Sequence, residues 1–304
     1  MLTHYLVSVS ENFSRSAIFL THIRKLTFIS VMAALLYCIY STLFNKLTET
    51  ASYKRSSKNN IKKLTKTPHL VLTAEDIKDR EIFIIGDVHG CLDELNELLR
   101  LAKTDLNGKT LLPIFVGDLA NKGPHNVSTI RRIRGENAYA VRGNHDAAVI
   151  KQCLSRQEHA DYIVPDKYKW ITDLVADDIR FLQELPYTIH IPSKNSVIVH
   201  GGLVPGTPIE EQDFTNIITM RSLFKDGDIL KASANRLIGK PWASLWQGPE
   251  YVYFGHDAAR KLQQYSYATG LDTGCLYGNS LTGIFLDSQK MIHVKAKRVY
   301  VNPE

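Results

Sequence analysis

Cysteine is scarce in this chain of 304 residues: four residues, Cys38, Cys91, Cys153 and Cys275, with no Cys-x-x-Cys pair and no regular spacing. A zinc ribbon or finger and a disulfide framework are both excluded by that pattern. Internal repeats and low-complexity tracts are absent, so a solenoid or an array is excluded as well. A broad basic surface is also missing. The formal net charge is +6, but the stretch from Lys46 to Lys66 alone holds seven Lys or Arg against the single acid Glu49. Basicity therefore describes one segment, and specific nucleic-acid binding is not expected. Long apolar runs are limited to one, Leu26 to Phe44, which carries no charge. As a helix it would span roughly 28 Å, close to the hydrocarbon core of a bilayer.

What remains divides into four parts: a tail over 1–25, a transmembrane signal-anchor over 26–44, a basic flexible linker over 45–78, and a globular domain over 79–304. The linker is polar and lysine-rich, and can also touch anionic headgroups. From about residue 80 the character changes. "EIFIIGD", "LLPIFVGD", "AYAVRGNHD", "NSVIVHGG" and "EYVYFGHD" are five β-type runs, each ending in Gly and a polar residue. Helical patterns such as "LDELNELLRLA" and "NVSTIRRI" lie between them. Strands alternating with helices predict an α/β layered fold.

Ligands in α/β folds bind beyond the carboxyl ends of strands, so these tips are expected to converge. They carry Asp87, His89, Asp118, Asn144, His145, His200 and His256. Any one of these has a bland role as a cap, a turn or a satisfied core histidine. Seven at consecutive strand tips point instead to a metal centre. Oxygen and imidazole ligands without thiolate suit Zn, Co or Mn, with Mg and Fe as further options. Asp87 and His89 can serve one ion, and Asn144, His200 and His256 another, with Asp118 able to bridge them. Two divalent ions against two carboxylates leave about +2, which attracts phosphate oxygens and favours a hydroxide nucleophile.

"GDVHG", "GDLANKGP", "RGNHD", "HGG" and "GHDA", in this order, resemble the calcineurin-like metallophosphoesterases over roughly residues 80–300. The tail "GLDTGCLYGNSLTG" is similar to the branch of symmetrical diadenosine-tetraphosphatases. With the apolar run and basic linker added, the pattern most resembles the fungal vacuolar zinc-dependent endopolyphosphatases of that branch. The resemblance implies a four-layer αββα sandwich and a dinuclear centre. Asp87, His89 and Asp118 would hold one metal, and Asp118, Asn144, His200 and His256 the other. It further implies that His145 donates a proton to the leaving group and that Arg142 and Arg221 contact phosphate. A single-pass membrane protein of the vacuole, with its catalytic domain in the lumen, is the implied setting.

In the protein-phosphatase branch of this family, the loop after the bridging Asp reads Asp-Arg-Gly. Here Asn121 and Lys122 stand in those places, and both are expected at the substrate. Asn supports a protonated His145 less than Asp would. That matters little when the leaving group is a phosphate, whose second pKa is about 6. The expected function is therefore phosphoanhydride hydrolysis, on inorganic polyphosphate first. A dinucleoside tetraphosphate hydrolase, a serine/threonine protein phosphatase and a catalytically silent phosphate-binding scaffold are the alternatives.

Overall fold

The structure, a computed structural model, describes residues 40–41, 67–104, 106 and 108–303. The tail over 1–25 and the expected signal-anchor over 26–44 lie outside the described residues, apart from Tyr40 and Ser41. Among the described residues no helix is long and apolar enough to cross a membrane. The linker boundary needs correction. His69–Val71 form a strand, β1, and Leu72 and Ile77 are buried, so the ordered fold takes in the last ten residues assigned to the linker.

All five apolar runs form strands. β2 (Arg80–Ile85), β3 (Thr110–Phe115) and β4 (Tyr139–Ala140) are parallel neighbours in a five-stranded sheet. β13 (Ser280–Phe285) and β14 (Met291–Lys295) complete it in the order β14-β13-β2-β3-β4. The other two runs lie in a six-stranded sheet. Its order is β1, β5 (Thr188–Ile191), β6 (Ser196–Val199), β10 (Tyr251–Phe254), β12 (Ala268–Gly270) and β11 (Gln263–Tyr265). Pro113 sits within β3 although proline breaks ladders. β4 pairs only with Ile114 and Phe115, so at Pro113 the strand is open on that side.

Alternation along these strands builds two cores. Phe83, Ile85 and Phe115 face helices α1 (Leu92–Ala102), α2 (Asn126–Arg134), α3 (Asn144–Glu158) and α4 (Ala176–Glu184), and join Leu95, Leu98, Ile130, Val149 and Leu182 in one cluster. Ile82, Ile84, Leu112 and Ile114 point the other way and meet Ile189, Ile198 and Tyr253 of the second sheet. Helices, sheet and sheet are thus three of the four expected layers.

The fourth layer is thinner than the resemblance implied. Val197, Val199 and Phe254, on the outer face of the six-stranded sheet, are buried, and among the described residues no long helix covers them. The Phe254 ring meets Trp242 at 4.9 Å, and the short helix α5 (Phe214–Thr219) stacks Phe214 on Tyr187 at 4.5 Å. Beside them lies a small sheet of β7 (Ser222–Asp226), β8 (Ile229–Ser233) and β9 (Lys240–Pro241). β7 and β8 turn over Gly227-Asp228, where Gly227 takes the left-handed φ of +61° that tight hairpins need.

Candidate metal centre

The five strand ends deliver their polar residues to one place. β2 runs into Asp87 and His89, β3 into Asp118, β4 into Asn144 and His145, β6 into His200, and β10 into His256. Turning a backbone sharply there requires unusual dihedrals. Nine non-glycine residues among those described have left-handed φ, and six of them are His89, Asp118, Asn121, Lys122, His256 and Lys261 at this site. Each costs about 1–3 kcal/mol, which the surrounding packing must offset. Two glycines allow the carboxylates to be approached closely. A Cβ on Gly143 would lie 2.1 Å from Asp118 Oδ1, and one on Gly255 would lie 2.0 Å from Asp87 Oδ1.

Asp118 is the hub. Its Oδ2 lies 3.5 Å from His89 Nε2 and 3.4 Å from His200 Nε2, while Oδ1 accepts the His145 backbone N–H at 2.8 Å. Two clusters of potential ligands meet at this carboxylate, His89 with Asp118 and His145, and Asp118 with His200 and His256. Asn144 Oδ1 sits 2.9 Å from both His200 Nε2 and His256 Nδ1. The far nitrogens of these two rings face backbone carbonyls, Val116 O at 2.8 Å and Thr219 O at 2.9 Å. Burial lowers the His200 pKa, but the Asp118 carboxylate outweighs it and raises the ring above its ordinary value. His256 is held neutral, so giving its N–H to Thr219 O leaves a Nδ1 lone pair facing the Asn144 amide oxygen with no hydrogen between them. Such a convergence is what a cation resolves, and a carbonyl behind each ring is the usual support of a metal-binding histidine. His89 Nδ1 is buried without a partner, a further unspent donor or acceptor.

Electrostatics point the same way. Burial pushes the Asp87 carboxyl well above its usual range, and Asp272 and Asp118 push it further. Asp118 is raised by burial too, but His200, His145 and His89 around it outweigh this and hold it well below the usual range. Burial lowers His89 to about 4 and drives His256 well down, so both rings stay in the neutral, ligating form. Asp272, at about 6, is raised by burial as well. Crowded buried carboxylates and neutral imidazoles make a donor set that fits divalent cations.

Asn121 and His145 meet directly: the amide nitrogen lies 3.0 Å from His145 Nδ1. Asn121 is 4 % exposed and its backbone N–H binds Asn126 Oδ1, so it holds the ring in place and does not face substrate as expected. Asp146, next to His145 in sequence, accepts from Leu119 N and Gly143 N instead, and so ties the loops together. Lys122 and Arg221 line the cavity over the cluster, together with His89, Asp118, Asn144, His145 and His256. Arg221 donates to His256 O and Ala234 O, joining a metal-ligand loop to the small sheet.

Arg142 is placed elsewhere. It is 2 % exposed and does not line the cavity. Its guanidinium donates to Tyr187 OH and Gln183 O, which correct the expected phosphate contact to an internal brace. Conversely, Asp257, Asp272, Arg236 and Lys261 line the cavity without having been singled out in the sequence. "GHDA" and "LDTG" carried the signal for the two acids. The Asp-Gly hairpin motif in "FKDGDIL" was the signal for the small sheet that precedes the Arg236 loop.

The family profile of calcineurin-like phosphoesterases matches residues 81–271. The chain is 25 % identical over 241 residues to an asymmetrical bis(5'-nucleosyl)-tetraphosphatase PrpE of Oceanobacillus iheyensis, covering 73 % of this chain and 94 % of that protein. It is 28 % identical over 279 residues to a symmetrical bis(5'-nucleosyl)-tetraphosphatase of Psychromonas ingrahamii, covering 72 % and 98 %. A solved structure described as a candidate diadenosine tetraphosphatase superposes with a TM-score of 0.67 at 34 % identity, covering 76 % of this chain and 98 % of that one.

Proposed function

The chain belongs to the calcineurin-like phosphoesterase family, and on that premise we propose that it hydrolyses phosphoanhydride bonds, with dinucleoside polyphosphates as the first substrate class. The convergence of Asn144 Oδ1, His200 Nε2 and His256 Nδ1 beside the shared Asp118 carboxylate carries the chemistry. Two divalent cations bound by these residues would acidify a shared water and polarise phosphoryl oxygens. His145 holds a proton for the leaving oxygen, with its ring fixed through Nδ1 by Asn121. Lys122, in the same cavity, meets the negative charge that builds up there.

The substrate class rests on two supports. The relatives above are named as tetraphosphatases of dinucleosides, whose scissile bond is an anhydride. An amide rather than a carboxylate behind His145 suits a leaving phosphate better than a leaving alkoxide. Inorganic polyphosphate is the second reading. Lys122, which has no ion pair or hydrogen bond among the described residues, favours it, because a flexible point charge suits a sliding polyanion. The uncharged run at 26–44 and the basic stretch after it support tethering to a membrane, in the vacuolar setting of the proteins the sequence resembles.

The test is turnover by the purified full chain on diadenosine tetraphosphate, linear polyphosphate and a phosphopeptide, each with Zn, Co, Mn or Mg. Faster hydrolysis of either anhydride is the expected result. Phosphopeptide turnover above both would overturn the substrate assignment.

A further inference from the structure

The cavity above the metal-centre residues, about 570 Å³, is lined by four cationic side chains, Lys122, Arg221, Arg236 and Lys261, and by the carboxylates Asp118, Asp257 and Asp272. Lys122, Arg236 and Lys261 all line it, and among the described residues none of their side chains makes an ion pair or a hydrogen bond. Unpaired cations in a shared concave site are placed to meet the anionic groups of a ligand.

Their placement is held by the fold. Arg260 donates to Arg236 O at 2.8 Å and Arg221 donates to Ala234 O at 3.1 Å, so the backbone of the 234–238 loop is pinned. Asn235 Oδ1 closes the same loop by accepting Leu237 N at 3.0 Å. Lys261 stands on the turn after Asp257, in left-handed conformation at φ +57°, with its N–H bonded to Ala258 O. Both side chains are exposed on fixed backbones.

The cations divide between the two halves of the centre. Lys122 lines the cavity with His89 and His145 and follows Asn121, whose amide lies 3.0 Å from His145 Nδ1, so it belongs to the leaving-group half. Arg221 donates to His256 O at 3.2 Å, and the Arg236 and Lys261 segments are tied to it through Arg260, which donates to Arg221 O, Arg236 O and Asp257 Oδ2. We propose that Arg236 and Lys261 form a subsite for the phosphates that lie beyond the reacting phosphorus on the His256 side, away from the leaving group. This deepens the anhydride reading and rests on it. The ligand is a run of phosphates joined by anhydride bonds, from either an inorganic chain or a dinucleoside.

The experiment compares the metal-loaded full chain with Arg236→Ala, Lys261→Ala and the charge-conserving Arg236→Lys and Lys261→Arg. kcat/KM on linear polyphosphate and on diadenosine tetraphosphate is divided by that on p-nitrophenyl phosphate, which has no phosphate to place in the subsite. Each alanine variant should lower the ratio about tenfold through KM, the loss of one charged hydrogen bond. The charge-conserving variants should restore most of it, and added salt should narrow the difference. A fall on linear polyphosphate alone assigns the subsite to inorganic chains, and a fall on both assigns it to any polyphosphate bridge. Ratios that do not move overturn the proposal.

Binding of fluorescently labelled linear polyphosphate to the metal-free chain separates the two levels. If neither anhydride is cleaved but binding still weakens in the alanine variants, the hydrolytic reading fails and the subsite stands. Equal binding by all variants removes the subsite.

Discussion

Asn121 decides more than its loop position promises. Its amide lies 3.0 Å from His145 Nδ1, so substitution by Asp would place a carboxylate where it stabilises the imidazolium. Asn121→Asp should therefore favour poor leaving groups. The ratio of turnover on p-nitrophenyl or alkyl phosphate esters to turnover on diadenosine tetraphosphate is expected to rise about tenfold. An unchanged or lower ratio would show that Asn121 does not set the leaving-group preference. At this scale the sequence was legible where chemistry and position coincide. Asp87, Asp118, Asn144 and His256 follow a glycine at the end of an apolar run, His200 precedes one, and the fold gathers them. Arg142 lies in the same kind of run, yet its side chain turns inward to Tyr187 and Gln183, and only packing could reveal that. Asn121 was expected to face substrate, and its burial behind His145 depends on two consecutive left-handed residues that no residue pattern announces.

Among the elements, the strands that carry the site were readable because they lie in apolar runs closed by Gly-Asp, Gly-Asn, His-Gly or Gly-His. β1 was not, because its three residues follow a lysine-rich stretch and gain their order from pairing with β5. His69 makes that pairing pH-sensitive. Its Nδ1 lies 2.9 Å from Thr188 Oγ1 and its Nε2 is buried without a partner, and burial lowers its pKa against the opposing pull of Glu210. A folded-state pKa below the unfolded value of about 6.5 means that the folded strand binds fewer protons. The stabilisation is thus fully present above that value and is lost as pH falls through it towards the folded pKa. Hydrogen exchange at Leu72 N–H, bonded to His190 O, should show protection falling from pH 7 to pH 5 after correction for intrinsic rates. His69→Gln should flatten the trend. Protection in the wild-type chain that is independent of pH would exclude His69 as its cause.

For the whole molecule, the two sheets meet through one apolar core and bring two sets of strand tips to a shared end, where buried carboxylates crowd together. The layered α/β arrangement was readable from alternating strands and helices. The thin outer layer was not, because α5 and the small sheet are short and gain their stability from Trp242, Phe254 and Tyr187. Cations at the shared end should stabilise the whole fold. A single site held at a hundred times its dissociation constant contributes about 2.7 kcal/mol. Removing divalent ions with a chelator is expected to lower the thermal midpoint by roughly 5–10 °C. Calorimetry should show recovery on adding Mn or Zn, and a midpoint indifferent to chelation would mean that the site holds no tightly bound ion.

The central claim is a pair of divalent ions sharing Asp118, and counting bound metal per chain tests it most directly. Elemental analysis of the equilibrated chain is expected to give two ions per wild-type molecule and fewer than two in Asp118→Asn, with anhydride hydrolysis lost in that variant. A wild-type chain that is fully active with one ion or none, or an Asp118→Asn variant that keeps two ions and full turnover, would contradict it.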